Sequence, residues 1–117
     1  MIAMSKIQSS QSVLYIRRLA LFLGLAGFSA FGAGVDFDKL NTRAEAGEAK
    51  AQFEMGLVFE RGLLGQERDL TKAFQWYASA APQGHVSAQN NLATLYTRGK
   101  GVERNYGEAV KWYRVAA

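Results

Sequence analysis

The chain has 117 residues, a formal net charge of +4 and no cysteine. This length is enough for one small domain, and the lack of cysteine excludes a disulfide framework, a thiolate nucleophile and a cysteine-based metal site. From residue 35 onward there are 11 basic and 10 acidic residues, a net of +1, which is too balanced for a nucleic-acid-binding surface.

The first 34 residues are predicted to be a signal peptide. Arg17 and Arg18 precede an uncharged, mainly apolar stretch over residues 19–35. A basic segment, a short apolar core and small residues at its end are the three parts of a secretory signal. The small residues predict cleavage after Gly34 or after Gly32, and therefore a periplasmic or secreted protein.

An uncleaved membrane anchor is the alternative for the same segment. The apolar run has 17 residues including Val35, at the lower end of the ~17–25 residues that span a bilayer. Its four glycines weaken a helix. In this alternative the retained signal segment is the part of the chain that contacts the membrane. No cysteine follows the run, so a lipoprotein anchor is excluded.

Five helices are predicted after the signal, over about 36–46, 48–61, 69–80, 86–98 and 105–117. Asp69 and Asn105 have side chains that suit the N-cap of a helix, and Gly62 and Gly99 suit the position just after a helix end. Pro82 lacks an amide donor and disfavours helical geometry in the residue before it, so the third helix is expected to stop there.

The sequence repeats itself at a spacing of 37 or 36 positions. AQFEMGLVFERG, from Ala51, returns as AQNNLATLYTRG from Ala88, and KAFQWYASAA, from Lys72, returns as EAVKWYRVAA from Glu108. One extra residue in the turn over residues 63–65 explains the change of spacing. Such periodicity is the signature of a helical repeat array, in which each unit buries its apolar face against the next unit.

Apolar residues recur within these helices at the spacing of one helix face. The tryptophan–tyrosine pairs Trp76–Tyr77 and Trp112–Tyr113 occupy the same place in the two copies. Because they recur at the repeat spacing, both pairs are predicted to lie in the core and not in a ligand site.

The repeated motifs resemble the Sel1-like repeat, a subclass of the tetratricopeptide-like helical hairpins. The shared pattern is Ala-Gln, Leu-Gly or its equivalent, an aromatic residue, Gly-x-Gly-Val, and Ala-x-x-Trp-Tyr-x-x-Ala-Ala. The second copy matches it throughout and the first matches outside its turn, while residues 36–46 resemble a degenerate trailing helix of a preceding unit.

The resemblance implies an all-α fold, a short right-handed α-solenoid of antiparallel helical hairpins. The expected organisation is a signal peptide over residues 1–34 and a repeat domain over residues 35–117. Repeat one then covers about 47–83 and repeat two about 84–117. Ala93 replaces the glycine found at Gly56, a change that we expect to widen one helix contact only slightly.

No catalytic motif, metal site or cofactor site is predicted. The single histidine, His85, is expected to be a solvated residue at the start of the fourth helix, since no nucleophile motif accompanies it. The chain is therefore predicted not to be an enzyme. The alternative is a hydrolase of cell-wall or β-lactam substrates, which rests only on the link between a cysteine-rich branch of the family and penicillin binding.

The resemblance implies that the first helix of each hairpin lines a concave, partner-binding surface. Residues on these helices that the repeat pattern leaves free to differ form two stripes with the spacing i, i+4 and i+7. They are Phe53, Leu57 and Glu60 in the second helix and Asn90, Thr94 and Thr97 in the fourth. Phe53 and Leu57 are apolar where the other copy is polar, so they either pack against the helix over residues 36–46 or form a contact spot for a partner.

The function expected from these features is that of an exported protein–protein interaction module, an adaptor, assembly factor or inhibitor. A periplasmic immunity protein against a toxin is a further alternative. The last repeat is also expected to present an apolar face that associates with a second copy or with a partner. The residues expected to contribute to that face are Tyr106, Val110, Tyr113 and Ala117.

Overall fold

All the regular structure in the computed structural model, which describes residues 34–117, is helical. Five α-helices follow one another, with a short 3-10 helix over Ala81–Gln83 between the third and the fourth. The predicted signal peptide lies outside the described residues except for Gly34. The helices are α1 (Phe37–Glu45), α2 (Ala49–Arg61), α3 (Leu70–Ala80), α4 (Val86–Arg98) and α5 (Tyr106–Ala116).

The helix ends are set by the capping residues that the sequence indicated. The side chains of Asp69 and Asn105 accept hydrogen bonds from the first-turn amides of α3 and α5, at 3.1 and 3.0 Å. Gly62 and Gly99 follow α2 and α4 in the left-handed conformation that glycine adopts at low cost. α3 ends at Ala80, before Pro82, as predicted.

Each helix packs against the next one along the chain, from α1 to α5. Alanines on the inward faces let the helix backbones approach closely, and they are fully or almost fully buried. This group consists of Ala44, Ala51, Ala73, Ala80, Ala88, Ala93 and Ala109. The result is the stack of helical hairpins that the repeat spacing predicted.

The helix α1 is equivalent to α3, the trailing helix of the first hairpin. Its Phe37 ring meets the Phe59 ring of α2 edge-on, with 6.3 Å between centroids. Phe74 of α3 meets Tyr96 of α4 in the same way at 5.3 Å. Both residues of the second pair lie 37 positions after those of the first, so α1 stands before α2 as α3 stands before α4.

A pair of buried glutamines reinforces this equivalence. The Gln52 amide nitrogen donates to the carbonyl oxygen of Ala44, at the end of α1, at 3.1 Å. Its counterpart Gln89 donates to the carbonyl oxygen of Ala81, after α3, at 3.0 Å. Each glutamine therefore donates a hydrogen bond to a carbonyl group at the end of the trailing helix before it, where carbonyl groups have no partner within the helix.

The extra residue of the first turn is absorbed before α3 begins. Asp69 donates its amide to the carbonyl oxygen of Phe59 at 2.8 Å, and Asn105 makes the equivalent bond to Tyr96 at 3.0 Å. The longer turn contains Leu64, the one non-glycine residue with a positive φ among those described. The insertion therefore changes the turn and leaves the docking of the second helix in each hairpin unchanged.

The two tryptophan–tyrosine pairs are only partly core residues, contrary to the sequence prediction. Tyr77 is fully buried, but Trp76 and Trp112 are half-buried and Tyr113 is exposed. Trp76 borders an open groove of about 390 Å³ between α1 and α3. Recurrence at the repeat spacing identified structural positions correctly, but it did not distinguish a buried position from the edge of a groove.

Candidate functional site

The six candidate residues lie on the first helices of the two hairpins. We call this surface the leading-helix face. Three of them are on α2 and three are on α4, so that each trio follows one side of its helix. The leading-helix face consists of Phe53, Leu57, Glu60, Asn90, Thr94 and Thr97.

Phe53 connects the two hairpins. Its half-buried ring stacks on the His85 ring, with 4.6 Å between centroids, and lies 5.9 Å from the Tyr77 ring. Packing against α1 was one of the two sequence interpretations of Phe53. The aromatic contacts of its ring are with Tyr77 of α3 and with His85, just before α4. The ring keeps part of its surface open to solvent.

His85 has a structural role that the sequence did not reveal. Its Nδ1 atom accepts the amide of Ala88 at 3.2 Å and so caps α4. The imidazole is half-buried beneath Phe53 and is not the solvated residue that we expected. Its sequence position before α4 could have indicated the cap, whereas the stack on Phe53 depends on how the hairpins pack.

Glu60 is held in place by a buried tyrosine. The Tyr77 hydroxyl, whose residue is fully buried, donates to a Glu60 carboxylate oxygen at 2.9 Å. Burial raises the pKa of Tyr77 far above its ordinary value, and the negative charge of Glu60 raises it further. The phenol therefore stays protonated and keeps the carboxylate at one position on the surface.

Leu57 offers a partner little surface. Its side chain is buried, so its apolar character serves the packing of the hairpin more than an external contact. Of the two apolar residues that distinguished the first copy, Phe53 alone keeps a substantial accessible surface.

The α4 part of the leading-helix face is polar and more open. The Asn90 side chain is exposed, and the backbone carbonyl oxygen of Asn90 accepts a hydrogen bond from the Thr94 hydroxyl at 2.9 Å. The Thr94 oxygen also lies 2.9 Å from the Tyr113 hydroxyl, while Thr97 donates to the carbonyl oxygen of Ala93 at 2.9 Å. Both threonine hydroxyls thus bond within the repeat, and Asn90 is left as the freest polar group.

The glycine–alanine difference between the repeats lies at the contact with the tyrosine of each hairpin. A Cβ atom placed on Gly56 would lie 2.2 Å from a ring carbon of Tyr77. The second repeat has Ala93 at the equivalent position, and there the tyrosine, Tyr113, is exposed. The first repeat has no room for alanine at this position, because the Tyr77 ring occupies the space that a methyl group would need. The expected small widening of the contact at Ala93 stays a prediction.

The described residues hold no cluster of side chains arranged for metal binding. Within residues 34–117 no group of three or more His, Asp or Glu side chains is arranged to hold a metal ion. None of the helices in that range is long and apolar enough to cross a membrane. What the leading-helix face offers is an aromatic ring, a fixed carboxylate and an exposed amide, which suit non-covalent contacts.

Comparison with known proteins places the repeats in a family. The family model of the Sel1 repeat matches residues 49–85 and 86–117. A solved structure of a protective antigen of uropathogenic Escherichia coli, c5321, which displays an SLR fold, superposes with a TM-score of 0.68 and 32% identity. That similarity covers 93% of this chain and 24% of the antigen.

Two curated relatives are much longer than this chain. The ERAD-associated E3 ubiquitin-protein ligase component HRD3A of Arabidopsis thaliana is 42% identical over 66 residues, 56% of this chain and 10% of that protein. The chitin synthase regulator SKT5 of Saccharomyces cerevisiae is 47% identical over 51 residues, 44% of this chain and 7% of that protein. The chain thus spans about a tenth of these relatives or less, and what it shares with them is the repeat. By the match of the family model and by its fold, this chain is a member of the Sel1 repeat family.

Proposed function

We propose that this chain is an exported protein-interaction module, an adaptor, assembly factor or inhibitor, whose partner binds across the leading-helix face. Sel1 repeat proteins are protein–protein interaction modules, and the names of the relatives describe a component of a ligase and a regulator of a synthase. The observation that carries the proposal is the half-open Phe53 ring, stacked on His85 where the two hairpins meet.

Rigid aromatic rings favour such a role. Phe53 is held by its stack on His85 and by a tilted contact with the Tyr77 ring, so a partner that covers it loses little side-chain entropy on this side of the interface. Aromatic residues with few free torsions are common among the residues that dominate interface energies. Phe53 is therefore the proposed anchor.

The chemistry around the anchor indicates what a partner would present. Glu60 lies seven residues after Phe53 on α2, which corresponds to about 10 Å along the helix axis. Its carboxylate is held by Tyr77. We expect the partner to place an apolar side chain on Phe53 and an arginine or lysine on Glu60, since a pre-positioned carboxylate forms stronger charge-assisted hydrogen bonds.

Site-specific photo-cross-linking in the producing cells tests the face. A photoreactive phenylalanine analogue at Asn90, which is exposed on α4, should capture a protein partner. The same analogue at Gln75, which is exposed on α3, is the matched control. Equal capture at both positions, or capture only at Gln75, would refute binding at the leading-helix face.

Substitutions identify the groups that carry the contact. We expect Phe53→Ala to remove most of the Asn90 cross-link, and Glu60→Gln to reduce it while keeping an acceptor for Tyr77. The control is Glu67→Gln in the exposed turn before α3. Cross-linking that is insensitive to Phe53→Ala would exclude this residue as the anchor.

Export is part of the proposal and is tested separately. It is supported by Arg17 and Arg18, the apolar run after them and the small residues up to Gly34. Mass spectrometry of the protein recovered from the periplasm should show the loss of 32 or 34 residues. An intact N-terminus on the recovered protein would indicate that the segment is kept as an anchor or is not an export signal.

A further inference from the structure

The open groove of about 390 Å³ between α1 and α3 is a second candidate binding surface, and we call it the trailing groove. The buried part of its lining is Met55 and Phe59 of α2, and the half-buried Trp76 of α3 adds an indole ring. Met55 lies about 200° around α2 from Phe53. The trailing groove is therefore on a different side of the stack from the leading-helix face.

Lys72 gives the trailing groove a positive charge. Of the residues within 34–117 that line the groove, Lys72 alone is charged. Its Nζ atom lies 5.1 Å from the centre of the Phe59 ring, a distance typical of a cation–π contact. Asp38 and Glu45 of the neighbouring α1 do not line the groove, and neither forms an ion pair with Lys72. A carboxylate that enters the groove would therefore meet a cation that no acidic residue of α1 pairs with.

The equivalent positions of the second hairpin are arranged differently. Lys72 corresponds to Glu108 and Gln75 to Lys111, and Glu108 and Lys111 form an ion pair at 3.7 Å. The Lys111 Nζ atom also lies 5.3 Å from the centre of the Trp112 ring. The charge at this position of the second hairpin is thus opposite in sign and already paired. In the first hairpin Gln75 is uncharged, which leaves the charge of Lys72 available to an external group.

The polar groups of the trailing groove suit the main chain of a peptide. The Asn41 side-chain amide donates to a Glu45 carboxylate oxygen at 3.0 Å, so its Oδ1 atom is left to accept. The Ser79 hydroxyl donates to the carbonyl oxygen of Gln75 at 3.1 Å and keeps its own capacity to accept. Lys72 and Ser79 are seven residues apart on α3, which is about 10 Å along the helix axis. An extended segment of about three residues spans this length.

We propose that the trailing groove binds an extended acidic segment of a partner protein. An aspartate or glutamate carboxylate of the segment would lie at Lys72, and an apolar side chain two residues away would lie against Met55 and Trp76. This spacing follows because alternate side chains of an extended chain point the same way. A small molecule fits the groove less well, since pockets for small ligands bury most of the ligand and this groove is open.

Nuclear magnetic resonance with two short peptides tests the trailing groove. The peptides are acetyl-Ala-Phe-Ala-Asp-Ala-amide and the same peptide with phenylalanine and aspartate exchanged, which covers both chain directions. Each is titrated into the isotope-labelled chain as recovered from cells. The chain has two tryptophans, so the indole N–H signal of Trp76 reports on the groove and that of Trp112 is an internal control. We expect at least one peptide to shift the Trp76 signal and the Gln75 side-chain amide, with Trp112 unchanged.

The charges of the peptide and of position 72 should both affect binding. Asparagine in place of the peptide's aspartate should weaken binding about threefold, which is within the range for an exposed ion pair. Lys72→Gln should have the same effect, and Lys111→Gln, the matched control in the second hairpin, should change the affinity by less than about twofold. Lys72→Glu should reverse the preference, so that a peptide with lysine in place of aspartate binds better than the acidic peptide.

Three results would overturn this assignment. They are no shift of the Trp76 signal at millimolar peptide, equal binding of the aspartate and asparagine peptides, and equal weakening by Lys72→Gln and Lys111→Gln. Circular dichroism of each variant checks that a loss of binding is not a loss of helix, and the comparison of peptides needs no variant. Phe53→Ala should leave the Trp76 shift unchanged, whereas its loss would place the peptide on the leading-helix face instead.

Discussion

Tyr77 and Tyr113 occupy the same position in successive hairpins, yet Tyr77 is fully buried and Tyr113 is 42% exposed. Tyr77 lies over Gly56, beneath Phe53, and donates to Glu60. Tyr113 has Ala93 at the equivalent of Gly56 and a threonine as its hydrogen-bond partner. One sequence motif therefore performs two tasks, because in a stack of repeats the neighbours of a residue decide its burial.

The largest expected effect separates these two tyrosines. Tyr77→Ala should lower the free energy of unfolding by about 3–5 kcal/mol, the usual range for emptying a buried aromatic position. Tyr113→Ala should cost about 1 kcal/mol, since it removes an exposed ring and one hydrogen bond. Urea denaturation followed by circular dichroism measures both values. Equal losses would show that the second hairpin is packed as tightly as the first.

The next effect concerns the space beneath Tyr77. Gly56→Ala would raise helix propensity by about 1 kcal/mol at an open position, but here the added methyl group meets the Tyr77 ring. We expect a net destabilisation of about 1–3 kcal/mol from this overpacking. In the double variant Gly56→Ala/Tyr77→Leu the two costs should not add. A stabilised Gly56→Ala variant would mean that the ring moves aside freely.

A smaller effect distinguishes the two buried glutamines. Gln52→Met removes two hydrogen bonds and leaves the Gln83 amide with the carbonyl oxygen of Ser79 as its acceptor. Gln89→Met removes one bond and also removes the unpaired carbonyl oxygen. Gln52→Met should therefore be more destabilising than Gln89→Met by about 1 kcal/mol. The denaturation midpoints of the two variants test this difference. A larger loss of stability for Gln89→Met than for Gln52→Met would contradict the view that the Gln89 oxygen is unsatisfied.

The smallest effect is at the caps of the two leading helices, where Glu48 corresponds to His85. Hydrogen bonds from Arg43 lower the pKa of Glu48 below its ordinary value. Because the folded-state pKa is depressed, the stabilisation is present above the ordinary glutamate pKa and is lost as the pH falls through the lowered value. The wild-type protein should be slightly more stable than the Glu48→Gln variant at neutral pH. Thermal unfolding measured at decreasing pH should show that this difference in stability disappears. The gain stays small because the pair is exposed.

Residue spacing predicted most of the fold but less of the candidate site. Helix starts at Asp69 and Asn105 follow from local capping chemistry, and residues 36–46 were predicted as a trailing helix from their resemblance to a degenerate helix of the repeat. The stack of Phe53 on His85 was not predicted, since it joins residues from different hairpins. Nor did the spacing reveal the Tyr77–Glu60 bond, because the two residues lie on different helices and neither belongs to a recognisable site motif.

The sequence alone determined the helix bounds, the order of the repeats and the family of the protein, because caps and apolar periodicity act over a few residues and recur at a fixed spacing. Only the tertiary structure decided which equivalent residues are buried, which buried oxygen lacks a donor and which ring stays open. These properties depend on what lies next to each helix in the stack. Residues that are equivalent in sequence, such as Tyr77 and Tyr113, have different neighbours there and so differ in burial and in role.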